Sequence, residues 1–325
     1  MALEVLRQAA ANELRQFVDR EGSQFPSLSL VWRALQTRGK LLAHENGFSW
    51  GLLPLAVCEA VGGEPGRALP LSTALECWIA AADVLDDVQD DDNDDALWRA
   101  CGIAGATNVA TFLLFLTQVA LLRLRERGVS DAQVCQLVQL FANAGARACA
   151  GQQLDILRGS AEDVTESGYL GAIAQKSASL VECACRSGAI VGGATHNRVG
   201  GFAQFGFNVG MAMQISNDVA GVSSESWDRN DLRRRKRTLP VIFALECAPS
   251  PLREEMAAIL RPDRLNDLSA EEVARSRYLL EATGALCYAL TVADVYWQRA
   301  LECVEGMGCG AGSLLLDLVT KMRGG

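Results

Sequence analysis

The sequence predicts an all-α protein, a single-domain bundle of about a dozen helices that occupies residues 1–325. Apolar residues recur at intervals of three and four, for example over residues 137–144, and this is the period of one helix face. Two serine–acceptor pairs, Ser130 with Gln133 and Ser269 with Glu272, have the spacing of a capping box at a helix start. Alternating patterns typical of strands are almost absent. Together these features favour helices over any mixed fold.

Composition excludes several classes of function. The chain has 325 residues, 50% of them hydrophobic, and a net charge of −9, so it can bury a large core but lacks the basic surface that nucleic acid requires. Its only histidines, His44 and His196, make His-rich zinc sites and His-dependent triads unexpected. The eleven cysteines stand singly in apolar segments, and no secretory signal opens the chain. We therefore expect reduced cysteines and a cytoplasmic protein.

Turn-forming residues divide the chain into its helices in order. An amphipathic helix comes first, and breaks follow at residues 62–66, 127–128, 223–224, 249–251 and 261–262. Residues 101–122 carry no charge and are long enough to span a bilayer. Polar residues interrupt them, so we predict a buried central helix rather than a membrane span.

An acidic segment, DVLDDVQDDDNDD at residues 83–95, contains eight aspartates and no basic residue. Clustered carboxylates repel one another, so they remain in water, take up protons or hold a cation. Asp86 and Asp90 are four residues apart and share one helix face. A solvated acidic loop, a calcium loop and a magnesium site at a helix end all remain open. The aspartates begin inside an apolar helix, which favours magnesium, held by one or two carboxylates and substrate phosphates.

Two downstream segments complement this acidic one. Asn217, Gly221 and Glu225 have the i, i+4, i+8 spacing of one helix face, with Gly221 leaving room for a water, although an ordinary polar helix end fits too. Five basic residues run over 233–237; a nuclear-targeting signal, a solvated face and a phosphate clamp are the alternatives. Lys176 is a lone cation in an apolar helix and a second candidate for binding phosphate.

The order of the motifs resembles the trans-isoprenyl diphosphate synthase (polyprenyl synthetase) family, which has the class I isoprenoid synthase fold. The matching strings are RGKLLA, CEAVGG, DVLDDVQDDD, GQQLDI, YLGAIAQKSASLVECACRSGAIVGGA, FGFNVGMAMQISND and DLRRRKRTLPVIFAL. This resemblance implies a helical bundle around a central cavity, a prenyl diphosphate substrate, three Mg²⁺ ions and a homodimer. It implies metal binding by Asp86, Asp87 and Asp90. It assigns the second motif and diphosphate contacts to Gln214, Asp218, Lys176 and Lys236.

The departures from the family pattern lie at the isopentenyl diphosphate site. Family members have a Lys-Arg pair there, whereas Leu41 follows Lys40; only Arg99 remains of a later Arg-Arg-Gly. The motif NDVAGVSSE also resembles that of class I terpene cyclases. We therefore expect a Mg²⁺-dependent terpene synthase that ionises farnesyl (C15) or geranylgeranyl (C20) diphosphate. The alternatives are a prenyltransferase using isopentenyl diphosphate or another acceptor, and an inactive regulatory subunit.

The predicted site has three groups of residues. The metal ligands are Asp86, Asp87, Asp90, Asn217, Gly221 and Glu225. The diphosphate-binding residues are Lys176, Gln214, Asp218, Lys236, Arg237 and Arg99. Aromatic faces in a cavity wall stabilise cations, and small residues deepen its floor. The predicted wall residues are Trp78, Ala81, Ala82, Phe112, Phe115 and Phe205. Plain core packing is the alternative for each aromatic residue.

Overall fold

The computed structural model describes residues 3–43, 48–90, 95–158, 164–225, 230–261, 266–308 and 314–324, and within them it contains helices and no strand. The all-α prediction is therefore confirmed. The α-helices are α1 (Leu3–Glu21), α2 (Leu28–Leu35), α3 (Leu53–Ala60), α4 (Leu69–Asp90), α5 (Leu97–Leu122), α6 (Asp131–Arg158), α7 (Glu166–Ile173), α8 (Ser179–Val191), α9 (His196–Ser223), α10 (Leu239–Cys247), α11 (Ser250–Ile259), α12 (Ala270–Ala282), α13 (Ala285–Gly306) and α14 (Leu314–Gly324).

Both predicted capping boxes are present. The Ser130 hydroxyl accepts from the Gln133 backbone N–H and the Gln133 side chain accepts from the Ser130 N–H, each at 3.3 Å. Ser269 and Glu272 make the same reciprocal pair at the start of α12. These bonds satisfy backbone donors that have no partner inside the helix. Gly128 ends the preceding 3₁₀ turn with a φ of 76°, a left-handed conformation that glycine adopts without strain.

The described chain divides into two compact units. The first contains residues 1–143, 182–204 and 303–325, and the second contains residues 144–181 and 205–302. The prediction of a single domain stays a prediction.

Helix α4 is the core of the first unit. It packs against α1, α2 and α5, and its residues from Pro70 to Ala81 are all buried. Its composition explains this burial, since alanine, leucine and other apolar residues lie on every side of the helix. Apart from the buried Glu76, its acidic residues lie in the last two turns and are Asp83, Asp86, Asp87 and Asp90. A rigid apolar helix therefore positions the acidic motif.

Helix α5 is buried on one face only, so the prediction of a buried central helix is wrong for its other face. The buried face includes Ala106, Ala110 and Leu113. The opposite face exposes large apolar side chains, namely Ile103, Leu114, Phe115, Val119 and Leu122. Apolar composition on both sides does not reveal which side the chain covers with its own helices.

Two helical stretches in the described residues are long and apolar enough to cross a membrane by length and composition, Pro65–Asp90 and Leu97–Arg127. A third would follow if α12 and α13, bent by 63°, formed one span. The first stretch is mostly buried inside the protein. The second contains α5, and most of its residues are not buried.

The second unit has two apolar clusters. One joins α10, α11 and α12 around Val241, Met256 and Leu280. The other joins α7, α9 and α13 around Ile173, Ile215 and Ala293. Between α7 and α8 the chain forms a π-helical turn, Ala174–Ala178. Such turns insert one extra residue per turn and are frequent at functional sites.

Candidate functional site

The acidic motif lies at the C-terminal end of α4. Asp86, Asp87 and Asp90 are half-buried in its last turns, which contain no basic residue. The Trp98 indole N–H donates to the Asp87 carbonyl at 3.0 Å and covers this helix end. Carboxylates at the negative end of the helix dipole are destabilised both by the dipole and by each other. A bound cation relieves both effects. The calcium-loop alternative rests on the alternation of Asp90, Asp92 and Asp94, of which Asp92 and Asp94 lie outside the described residues.

A buried carboxyl group organises the second motif. Asp218 accepts from the Tyr169 hydroxyl at 2.6 Å and from the Gln214 side-chain amide at 2.8 Å. The Ser177 hydroxyl donates to Gln214 at 2.6 Å. Burial raises the pKa of Asp218 to about 7, with Asp231 also raising it and the bonds from Tyr169 and Gln214 opposing the shift. Gln214 and Asp218 are thus held in fixed orientations in the second unit.

Lys176 projects from the π-helical turn. Its ammonium contacts the Asp155 carboxylate at 3.2 Å, so the lone cation predicted from sequence stands beside an acid of the GQQLDI segment. Gly151 of that segment lies directly against the turn. A Cβ at this position would be 2.2 Å from the backbone nitrogen of Lys176. The missing side chain at Gly151 therefore permits the backbone approach that places Lys176.

The structure corrects two predictions about the 217–225 segment. Helix α9 ends at Ser223, so Glu225 does not share a helical face with the exposed Asn217 and with Gly221. The space beside Gly221 is taken by the Asp231 carboxylate, which a Cβ there would approach to 2.0 Å, rather than by a water. Asp231 in turn pairs with Lys236 at 3.7 Å.

The basic run is a turn rather than a helix face, and several of its side chains bind neighbouring backbone and acids. Arg233 pairs with Asp267 at 2.8 Å. Arg237 donates to the Leu260 carbonyl at 2.8 Å, and burial, followed by the charge of Arg235, lowers its pKa. Arg235 has a φ of 57°, an uncommon conformation for a residue with a side chain. Within the run, Lys236 pairs with Asp231, the acid that lies beside Gly221.

The predicted wall residues occupy different environments. Trp78 is buried and packs on Phe141 with ring centroids 4.9 Å apart, and Ala81 is buried beside it along α4. Phe112 stacks on Phe25 at 4.4 Å. Phe205 is fully buried and Ala82 is half-buried. Arg99, which was predicted to bind diphosphate rather than to line the wall, is exposed over the Trp98 ring. Phe115 is 67% exposed, so it does not line the interior of this chain as predicted, because it lies on the outward face of α5.

The donor set suits magnesium without forming a complete cage. Among the described residues, no group of three His, Cys, Asp or Glu side chains could by itself hold a metal ion. Mg²⁺ is commonly bound by one or two carboxylates, with water and substrate phosphates supplying the remaining ligands. Asp86 and Asp90 on one helix face match that requirement.

Comparison with known proteins identifies the family. The polyprenyl synthetase profile matches residues 50–276. The chain belongs to the polyprenyl synthetase family. It is 31% identical to the short chain isoprenyl diphosphate synthase of Methanothermobacter thermautotrophicus, covering 78% of each chain, and 29% identical to the geranylfarnesyl diphosphate synthase of Aeropyrum pernix, covering 83% and 88%. A crystal structure of a geranylgeranyl pyrophosphate synthase superposes with a TM-score of 0.85 at 21% identity over 99% of both chains.

The predicted terpene synthase activity is wrong. The relatives of this polyprenyl synthetase family member include diphosphate synthases and a tryptophan prenyltransferase of Bacillus spizizenii. These names indicate a transferase of isoprenyl diphosphate metabolism rather than a lyase. The cyclase prediction rested on the spacing of Asn217, Gly221 and Glu225. That spacing has no helical basis at Glu225, and Asp231 fills the space beside Gly221.

Several residues at these two motifs were not found by sequence reasoning. They are Asp155, Tyr169, Gly151 and Asp231, together with Glu76 of α4. Only Glu76 gave a local signal, a carboxylate in the middle of an apolar helix. The other four depend on contacts between separate segments of the chain.

Proposed function

We propose that this chain is a trans-prenyltransferase that condenses an allylic prenyl diphosphate, farnesyl or geranylgeranyl diphosphate, with isopentenyl diphosphate. The observation that carries the proposal is membership of the polyprenyl synthetase family, with relatives that are named as diphosphate synthases and matched over most of their length. The allylic C–O bond breaks, diphosphate leaves, a C–C bond forms to isopentenyl diphosphate and a proton is lost from it. The free cysteines among the described residues suit a reducing cytoplasm.

The proposed roles follow the two motifs. Asp86, Asp87 and Asp90 of the first motif would hold Mg²⁺, on which the family generally depends. Asn217 and the Gln214–Asp218 pair are the proposed ligands of the second motif. Bound Mg²⁺ neutralises charge on the departing diphosphate. Lys176 and Lys236 add fixed positive charge at the second motif. Tyr169 and Ser177 keep Asp218 and Gln214 oriented.

An incubation of purified protein with Mg²⁺ tests this activity. With farnesyl diphosphate and isopentenyl diphosphate together, we expect a longer prenyl diphosphate, detected by mass spectrometry. With farnesyl diphosphate alone, we expect no chain extension. Repeating both incubations with geranylgeranyl diphosphate defines the accepted chain length. Absence of any longer diphosphate with either substrate contradicts the proposal.

A homodimer is part of the proposal, since the family is generally dimeric. The exposed apolar stripe on α5, which includes Leu114 and the 67% exposed Phe115, supplies the kind of surface that a second copy covers. Phe115→Glu is therefore expected to shift the protein from dimer to monomer in sedimentation velocity. The control Gln16→Glu adds the same negative charge at an exposed polar residue of α1, away from this stripe. A Phe115→Glu protein that sediments as the wild type contradicts this interface.

A further inference from the structure

Glu76 is a fully buried carboxylate in the middle of α4 that the proposed chemistry does not use. It accepts from the Leu41 N–H at 2.9 Å, from the Ser49 hydroxyl at 2.8 Å and from the Gly51 N–H at 2.8 Å. A Cβ at Gly51 would be 2.7 Å from the same carboxylate, so the contact requires glycine. These three bonds satisfy the oxygens of a buried carboxyl group and fasten two backbone segments to α4.

The hydrogen bond between Leu41 and Glu76 also fixes the backbone next to Lys40. Its neighbour Leu41 is bonded to Glu76, and its own charge is one of the influences that lower the Glu76 pKa against the dominant raising effect of burial. The Lys40 side chain is only 2% exposed. Because the neighbouring backbone is fixed and its own side chain is almost fully buried, Lys40 has little freedom to move.

The acid in direct contact with Lys40 is Asp83, not Glu76. The Asp83 carboxylate is in direct contact with the Lys40 ammonium, and the Asp83 side chain is 54% exposed. The two acids differ in their freedom to move, since Glu76 accepts three hydrogen bonds in the interior whereas the Asp83 side chain borders solvent. An anion approaching Lys40 can therefore replace the Asp83 carboxylate by rotation of that side chain, without disturbing Glu76.

The position of Asp83 relates this exchange to the proposed reaction. The family resemblance places Lys40 at the isopentenyl diphosphate site but assigns nothing to Asp83. Asp83 lies three residues, about one helical turn, before Asp86 on α4. A diphosphate that displaces it would sit one turn away from the carboxylates proposed to hold the metal on the allylic substrate.

We propose that Asp83 occupies, in the unliganded protein, the place at Lys40 that the diphosphate of isopentenyl diphosphate takes, and so weakens binding of this co-substrate. The proposal rests on the proposed function for the identity of the ligand. Oxygen anions are interchangeable partners for an ammonium, and the competing carboxylate is part of the chain. Asp83 is thus an affinity-setting residue rather than a catalytic one.

The test is Asp83→Asn, which keeps the side-chain shape and removes the competing charge. We expect isopentenyl diphosphate, titrated alone in a calorimeter so that no turnover occurs, to bind about twofold to fivefold more tightly, the range that corresponds to a partly exposed ion pair. The KM for isopentenyl diphosphate should fall by a similar factor, while kcat and the KM for the allylic substrate stay unchanged. Asp131→Asn, an equal loss of charge on the first turn of α6, should leave every value unchanged.

The same substitution in a Lys40→Met background separates competition from general repulsion. We expect no effect of Asp83→Asn in that background; an equal gain there overturns the proposal. If Lys40→Met does not fold, acetylation of Lys40, one of four lysines in the chain, gives a second measurement. Asp83→Asn should speed it, and isopentenyl diphosphate should block it.

The remaining outcomes are equally decisive. Unchanged or weaker binding in Asp83→Asn overturns the proposal, as does a failure of both proteins to bind isopentenyl diphosphate. If the wild type binds isopentenyl diphosphate and Asp83→Asn binds it more tightly, but neither elongates, the proposed function fails and the role of Asp83 stands.

Discussion

Asp86→Ala is expected to lower kcat/KM about 10³-fold, a loss of about 4 kcal/mol of transition-state stabilisation, while the protein melts at or above the wild-type temperature. Asp86 lies near the C-terminal end of α4, where three aspartates and the helix dipole disfavour one another. Removing one carboxylate relieves that repulsion, and alanine is the better helix former. Activity and stability should therefore move independently.

Asp131→Ala is the matched control for this substitution. Asp131 lies in the first turn of α6, where a negative charge is favourable, and it pairs with Arg125 at 2.8 Å. Its removal should lower the melting temperature slightly and leave the elongation rate unchanged. We therefore expect Asp86→Ala to lose activity without a lower melting temperature, and Asp131→Ala to have a slightly lower melting temperature without loss of activity. Near-normal elongation by Asp86→Ala would remove the acidic motif from the metal site.

Features set by neighbours along the chain could be predicted from the sequence. The capping boxes at Ser130 and Ser269 need only residues three positions apart, and the shared face of Asp86 and Asp90 needs only helical geometry. The all-α fold follows from many such local signals in agreement. The family resemblance, carried by motifs in order, was confirmed for the same reason.

Features set by distant segments could not be predicted. Burial of one face of α5 depends on which helices pack against it, and the lack of charge in residues 101–122 predicted burial on both faces, including Phe115. The Tyr169–Asp218 bond joins residues 49 positions apart, and no local pattern marks such a partner. The cyclase prediction failed at Gly221, where Asp231 from beyond the end of α9 occupies the space reserved for water. A site predicted from helical spacing requires the helix to continue through every residue of the site, and α9 ends before Glu225.

The backbone contact between Gly151 and the π-helical turn makes Gly151→Ala the second large expected effect. An alanine Cβ would stand 2.2 Å from the Lys176 nitrogen, 2.8 Å from the Lys176 Cα and 2.8 Å from the Gln175 carbonyl carbon. All three are backbone atoms, so no flexible side chain can yield. We expect the free energy of unfolding to fall by about 1–3 kcal/mol and the KM for the allylic diphosphate to rise, because the turn that positions Lys176 must shift.

Gly171→Ala provides the opposite expectation from the same chemical change. Gly171 is an exposed helical residue of α7 with no atom within 4 Å of an added Cβ, so alanine there should raise the free energy of unfolding by up to about 1 kcal/mol. Urea unfolding and steady-state kinetics on both variants decide the matter. If Gly151→Ala were as stable as Gly171→Ala and had a wild-type KM, the close approach of α6 would not be what places Lys176. The sign of the stability change, rather than its size, therefore carries the test.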